Sequence, residues 1–389
     1  MGGAAEVFGA FLRLGLTSFG GPVAHLGYFR AEFVERRRWL SDGQYAELVA
    51  LAQVAPGPAS SQVGLALGLM RAGPLGALAA WTGFTLPSAL LLAGFAAGLA
   101  VAGGVEGAGW LAGLKAAAVA VVAQALLGMG RSLAPDAPRQ TLAAAAAALA
   151  LLVPGVAGQL GAIGLGALAG LTLLRGAAVP AAEAAAPVPL SRAAGAACLA
   201  AFAVLLVGLP LAAGLSPWLA YADGFYRAGA LVFGGGHVVL PLLEAEAVGR
   251  GWVEAESFLA GYGAAQAVPG PLFAFAAYLG QASAGAAGAI VALVAIFLPG
   301  ALLIVGALPF WAAVRERPGL RAALTGVNAA VTGLLLAALY DPVFLRGAAT
   351  AEAFVIALGA FLALAAWQVS PVWVVAGAAV AGAALGAVT

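Results

Sequence analysis

The stretch SFGGP, Ser18 to Pro22, interrupts an apolar helix that begins near Glu6. A helix needs about 20 apolar residues to cross a bilayer, and this one breaks before reaching that length. The interruption recurs 214 residues further on, where FLRLGLTSFGG from Phe11 is echoed by FYRAGALVFGG from Phe225. Non-helical backbone at membrane depth is tolerated only where protein or a water-filled cavity satisfies its polar groups. A chain that breaks the same helix twice must therefore bring both breaks into such a place.

That the surroundings are a membrane follows from composition. The 389 residues are 63% hydrophobic and 8% charged, with a mean hydropathy of +1.04, against roughly 25% charged in soluble domains. This is an all-α polytopic membrane protein. The net charge of +1 implies no bulk electrostatic partner such as nucleic acid. The single cysteine, Cys198, gives neither a disulfide nor a redox pair. The first residues lack a basic region and carry Arg13 in their apolar part, unlike a cleaved signal peptide.

The duplication organises the chain. Phe11, Arg13, Gly15, Phe19, Gly20 and Gly21 align with Phe225, Arg227, Gly229, Phe233, Gly234 and Gly235. Trp39 aligns with Trp252, AQVAPGP (Ala52 to Pro58) with AQAVPGP (Ala265 to Pro271), and LPSALLL from Leu86 with LPGALLI from Leu298. Lys115 aligns with Asn328. The expected organisation is a first repeat over 1–174, a linker and an unmatched crossing helix over 175–215, and a second repeat over 216–389. Four segments per repeat approach spanning length: 74–98, 108–130, 139–153 and 156–174, then 286–310, 322–340, 352–367 and 371–388. The pieces at 5–19, 23–38, 43–55 and 59–71 are too short or too polar. They pair as two broken, re-entrant helical hairpins, joined at GGP and APGP, and at GGG and VPGP in the second repeat.

Charge tests the orientation. With RAEFVERRRW, from Arg30, on the cytoplasmic side, twelve of the seventeen Lys and Arg fall inside, two outside (Arg250 and Arg346) and three in the membrane (Arg13, Lys115 and Arg227). The unmatched helix crosses once, so the second repeat is inverted. The N-terminus is expected in the cytoplasm and the C-terminus outside. Inverted repeats with discontinuous helices are a recurrent transporter design, with substrate held near the midplane at the breaks.

The breaks suggest an anion. Helix N-termini offer free N–H groups and roughly half a positive charge. Pro22 and Pro58 each stand where a new half-helix begins, a favoured place for proline. Ala59, Ser60 and Ser61 follow Pro58, and His237 follows Gly236. With Ser18, Arg13, Arg227, Lys115 and Asn328 these form a candidate cradle for an oxyanion. The sequence shows no clearly embedded carboxylate to balance the cations. No proton relay is evident either, so the membrane potential is expected to suffice as the driving force. Glu6, Glu106, His25 and His237 would be the first candidates for proton carriers.

FLRLGLTSFGGPVAHLGYFR, LVALAQVAPGPASSQ, FYRAGALVFGGGHVVLPLLE and GYGAAQAVPGP together resemble the chromate ion transporter family in its two-domain, long-chain form, over nearly the whole chain. The resemblance implies chromate efflux from the bacterial cytoplasm, with sulfate as the similar anion, a plasma-membrane location and chromate resistance. It carries functional motifs onto Gly20, Gly21, Pro22, Pro56, Gly57, Pro58, Gly234, Gly235, Gly236, Pro269, Gly270 and Pro271. LFAF, from Leu272, stands where the first repeat has ASSQ, so the first repeat is expected to supply more of the polar contacts.

A transporter or channel for sulfate or another oxyanion would use the same fold. An intramembrane enzyme is disfavoured, because the sequence has no H-E-x-x-H, no G-x-S-x-G and no paired embedded carboxylates. No cofactor or metal is expected, the lipid bilayer is the surrounding partner, and the sequence leaves a homodimer open.

Overall fold

The computed structural model describes residues 3–18, 21–101, 109–153, 156–174, 189–232, 238–311 and 317–386. Every regular element among them is helical. Helices α1 (Ala4–Thr17), α2 (Gly21–Arg30), α3 (Asp42–Val54), α4 (Ala59–Val101), α5 (Gly109–Leu133), α6 (Ala137–Leu152) and α7 (Val156–Leu173) form the first half. Helix α8 (Arg192–Ala212) has no counterpart. The second half comprises α9 (Pro217–Ala230), α10 (Val239–Ala247), α11 (Ala255–Gln266), α12 (Phe275–Ala307), α13 (Pro318–Ala338), α14 (Ala351–Ala365) and α15 (Pro371–Gly386).

Among the described residues five helices are long and apolar enough to cross a membrane: 59–101, 109–131, 192–215, 272–310 and 325–347. Helices α6, α7, α14 and α15 are apolar but only 15 to 18 residues long. At 1.5 Å per residue they reach about 22–27 Å, short of the roughly 30 Å hydrocarbon core.

Helix α1 packs most extensively on α4 and reaches α2 through its aromatic side chains, while the 59–71 leg, expected to pair with 43–55, folds onto the rest of α4. Phe11 on α1 stacks on Phe33, at a centroid distance of 4.8 Å, and meets Phe29 edge-on. Glu6, a turn earlier, reaches Arg37. The α1–α2 pair is thus an antiparallel hairpin, α2 continuing as a wider turn over Ala31–Arg36. In the second half Ala247 replaces Phe33, and with no ring between them Trp252 stacks directly on Phe225, at 5.8 Å.

The duplication is visible in the backbone. The helix entered after each Pro-Gly-Pro is broken at Ala72–Gly73 (φ/ψ −143/25 and 66/−159) and at Ala284–Gly285 (−142/20 and 65/−159). Gly73 and Gly285 occupy a region essentially closed to side chains. The break lets the short leg fold onto the long one so closely that a Cβ on Gly68 would lie 2.3 Å from the Gly76 carbonyl, and one on Gly280 2.4 Å from that of Gly288.

The two halves interlock. Helices α6 and α7 pack on α13, while α14 and α15 pack on α5. Both seams run through glycine: Gly326 against Gly170, and Gly382 against Gly113, each leaving about 2.6 Å between an added Cβ and the facing backbone nitrogen. Small residues allow such approach where no hydrophobic effect drives helices together.

Two outcomes check this architecture. Gly73→Ala and Gly285→Ala should each lower stability by about 1–3 kcal/mol, read as a fall in the detergent-solubilised melting temperature. In a Cys198→Ser background, Glu35→Cys and Glu254→Cys should label from opposite faces of the membrane. Labelling from one face would overturn the inverted arrangement. Both positions are exposed, whereas Val34, next to Glu35, and Ala247, at the end of α10, are 8% and 1% exposed and would report nothing.

Candidate functional site: the crossing of the two breaks

The breaks meet at the centre of the interlock. Gly57, between Pro56 and Pro58, has φ of 128° and donates its N–H to the carbonyl of Val232, the last described residue before the second break, at 2.7 Å. Gly270, between Pro269 and Pro271, has φ of 97° and donates to the carbonyl of Ser18, at the first break, at 2.9 Å. Each half thus satisfies the other's broken backbone with equivalent residues. The packing is reciprocal too: a Cβ on Gly57 would lie 3.0 Å from the Gly300 Cα, and one on Gly270 3.0 Å from the Ser88 Oγ. Ser88 and Gly300 are repeat equivalents. Reciprocal contacts of this kind are the mark of a two-fold relation.

Around this crossing the first half places a set of buried polar groups. Ser18 is fully buried, Ser60 and Ser61 open α4 and are 2% and 3% exposed, and Thr85 and Ser88 lie on the facing long leg. His25 on α2 sits edge-on to Phe84 and brings its Nδ1 to 3.3 Å from the Ser60 Oγ. The Gln62 amide donates to the carbonyls of Pro56 and Gly300, one from each half, which fixes its orientation and leaves Oε1 over. Among the described residues five atoms here are buried without a partner: Ser18 Oγ, His25 Nε2, Ser61 Oγ, Gln62 Oε1 and Thr85 Oγ1. A buried unpartnered polar group costs about 1–3 kcal/mol, so a cluster of them marks a place that a polar guest fills. The second half offers Leu272, Phe273, Ala274 and Phe275 at the matching helix start, all buried, with Phe297 in place of Thr85 and Val239 in place of His25. The polar lining therefore comes from one half and the apolar wall from the other.

The crossing gathers Ser18, Pro56, Gly57, Pro58, Ala59, Ser60, Ser61, Pro269, Gly270 and Pro271. Gly21 starts α2 with φ of 77°, and the backbone of Pro22 lies in its first turn. Gly20, Gly234, Gly235, Gly236 and His237 lie outside the described residues, as does Glu106.

The expected cations are elsewhere. Arg13 is exposed on α1. Lys115 on α5 ends 3.5 Å from Glu256, and Asn328 lies on α13, which packs on α6 and α7. Arg227 is tied to Asp223 at 2.7 Å and to Glu246 at 3.2 Å, with Arg250 bridging the same two carboxylates. This corrects the expectation that no embedded carboxylate balances the arginines, since Asp223 and Glu246 are 2% and 4% exposed. With two carboxylates and two guanidiniums the cluster is neutral, and its Arg227 is already occupied. Its counterpart in the first half is Glu32 with Arg36 and Arg37, inside the loop read from sequence only as a topology determinant. Arg37 and Arg71 lie over the Trp39 ring and Arg250 over Trp252. Two aligned Glu-x-x-x-Arg spacings, Glu32 to Arg36 and Glu246 to Arg250, were the available signal.

Two halves that exchange helices, meet at paired backbone breaks and line the meeting point with unpartnered polar groups make a polytopic membrane transporter. The chain belongs to the chromate transporter family, whose sequence profile matches it twice, over residues 5–171 and 219–383. It is 32% identical over 350 residues to a chromate transport protein of Pseudomonas aeruginosa, covering 86% of this chain and 80% of that one. A chromate transport protein of Cupriavidus metallidurans is 30% identical over 340 residues, covering 84% and 80%. A probable chromate transport protein of Synechococcus elongatus is 29% identical over 354, covering 84% and 81%. No solved structure matches the chain.

Removing Arg227 leaves two buried carboxylates to one remaining guanidinium. Arg227→Ala should therefore destabilise the protein by about 3–5 kcal/mol, less whatever solvent screening at the partly exposed guanidinium recovers. Arg13→Ala should change stability by under about 0.5 kcal/mol. Parallel thermal melts in detergent separate the two.

Proposed function

We propose that this chain exports chromate across the bacterial plasma membrane, binding it near the midplane at the crossing of the two breaks. The observation that carries the reading is the cluster of buried, unpartnered polar atoms beside reciprocally paired helix breaks. A tetrahedral oxyanion offers acceptors in several directions, and the hydroxyls of Ser18, Ser60, Ser61 and Thr85 converge as donors. The first turn of α4 begins among them: its hydrogen-bond ladder opens with the Gln62 N–H on the Pro58 carbonyl, and a helix N-terminus with donors to spare favours an anion. Alternating access would then rock the halves about the Gly57 and Gly270 contacts, with the repeats inverted, the N-terminus in the cytoplasm and the C-terminus outside.

Membrane potential gives the direction. One charge crossing it is worth about 2.3 kcal/mol per 100 mV, so a dianion leaving a negative interior gains about twice that on the same scale. A thousandfold outward gradient costs about 4.1 kcal/mol, within that gain. Sulfate, also a tetrahedral dianion, is the second reading. It is favoured by the same convergence of hydroxyls, none of which addresses chromium chemistry.

In inverted membrane vesicles, chromate uptake should follow an imposed potential, positive inside, without a pH or sodium gradient. Ser60→Ala and Ser61→Ala should each raise KM for chromate about tenfold, the worth of one hydrogen bond to a charged group, while insertion is unchanged. Unaltered transport by both variants would remove the crossing as the site. Sulfate competing at equal concentration would extend the substrate class.

A further inference from the structure

We infer that His25 supplies the positive charge of the anion site, taking up one proton as the oxyanion enters and releasing it as the anion leaves, so that one net charge crosses per cycle and the gradient sustained per 100 mV falls from about a thousandfold to about fortyfold. This rests on the crossing being the substrate site.

A dianion held by hydroxyls and backbone alone, in a place shielded from water, keeps an uncompensated charge, which is costly to bury. The cations named by the sequence do not neutralise it. Arg13 points outward, and Arg227 and Lys115 are engaged with carboxylates. Among the described residues the groups around the imidazole leave His25 alone in this role. On α1 the neighbour is Ser18, and the exposed Arg13 lies more than a turn before it. On its own helix Arg30 is held by Glu35 and Asp42. On α3 the Tyr45 hydroxyl donates to the Leu26 carbonyl. On α4 the ring meets Ser60 and Phe84, and Arg71, at the far end of the short leg, is bound to Glu6. From the second half Gly270, which is not titratable, bonds the Ser18 carbonyl, and His237 lies outside the described residues. Among the described residues no carboxylate faces the ring, so a protonated His25 in the empty site would itself be an unpaired buried charge. An arriving anion is the partner it lacks.

The geometry suits the task. His25 is 1% exposed. Its Nδ1 lies 3.3 Å from the Ser60 Oγ, the Ser18 backbone stands beside the ring, and its Nε2 has no hydrogen-bond partner among the described residues. Protonation makes both nitrogens donors. One then addresses Ser60 and the other the anion, and Ser60 is left free to turn its own hydrogen toward the guest. The repeat equivalent, Val239, cannot titrate, so His25 contributes one proton per site.

The test is calorimetric titration of the full-length purified protein with chromate at about pH 8, where chromate is a dianion, in buffers of different ionisation enthalpy. The unaltered protein should take up about one proton per anion. Its affinity should fall about tenfold for each further pH unit, the slope for one linked proton. His25→Gln and His25→Asn, which keep a hydrogen-bonding side chain but do not titrate, should bind more weakly, with uptake near zero and a flat pH profile. Matching melting temperatures of these variants exclude misfolding. Buffer-independent heats in the unaltered protein, or undiminished uptake in the variants, would overturn the role of His25. Chromate binding unmoved by Ser61→Ala and His25→Gln alike would instead overturn the site itself.

Discussion

Everything at the centre of this protein depends on two backbone hydrogen bonds, from Gly57 to Val232 and from Gly270 to Ser18. A broken helix in a membrane leaves N–H and C=O groups that lipid cannot satisfy. Here each half lends a glycine N–H to the other's interrupted strand of carbonyls. The glycines are required twice over, by their positive φ and by the backbone or hydroxyl that a Cβ would strike. The prolines that flank them bring no N–H of their own to satisfy. The breaks are thus tolerable only as a pair, which ties the existence of the site to the duplication of the chain.

Duplication with divergence then separates two tasks that a symmetric protein would have to combine. The second half keeps the backbone geometry of the first, down to the φ and ψ of Ala284 and Gly285, but sets Phe273 against Phe297 where the first has Ser60 and Thr85. The first half keeps the hydroxyls and the imidazole. Polar groups grouped on one wall leave the other dry, and a dry wall strengthens every electrostatic contact made across it.

Much of this was legible in the sequence, because it is written in residue types that have few other uses. Paired Gly-Gly and Pro-Gly-Pro interruptions locate the breaks, and constant spacing between the copies locates the halves. ASSQ against LFAF announces the asymmetry. What escaped were facts about facing. Asp223 and Glu246 each stand four residues before an arginine, a spacing the sequence does show, but only the fold crosses the two pairs into one cluster. Thr85 and Ser88 hide within an apolar run, where a hydroxyl is normally content with its own helix carbonyl. Ser88 does bond that of Thr85, but the Thr85 hydroxyl does not bond within its helix. Arg13 shows the converse: a repeated charge one turn before a break invites a role at the site, yet a rotation about the helix axis turns it outward.

The exchange of terminal helices has a consequence for biogenesis. Helix α5 leaves the ribosome early, but the partners that cover its glycine seam, α14 and α15, begin 218 and 238 residues after it ends. A polypeptide grows at about 5–20 residues per second, so α5 waits many seconds in the bilayer with its closest-packing face against lipid. The first half cannot complete its fold on its own schedule. It is held unfinished until the second half arrives to close it.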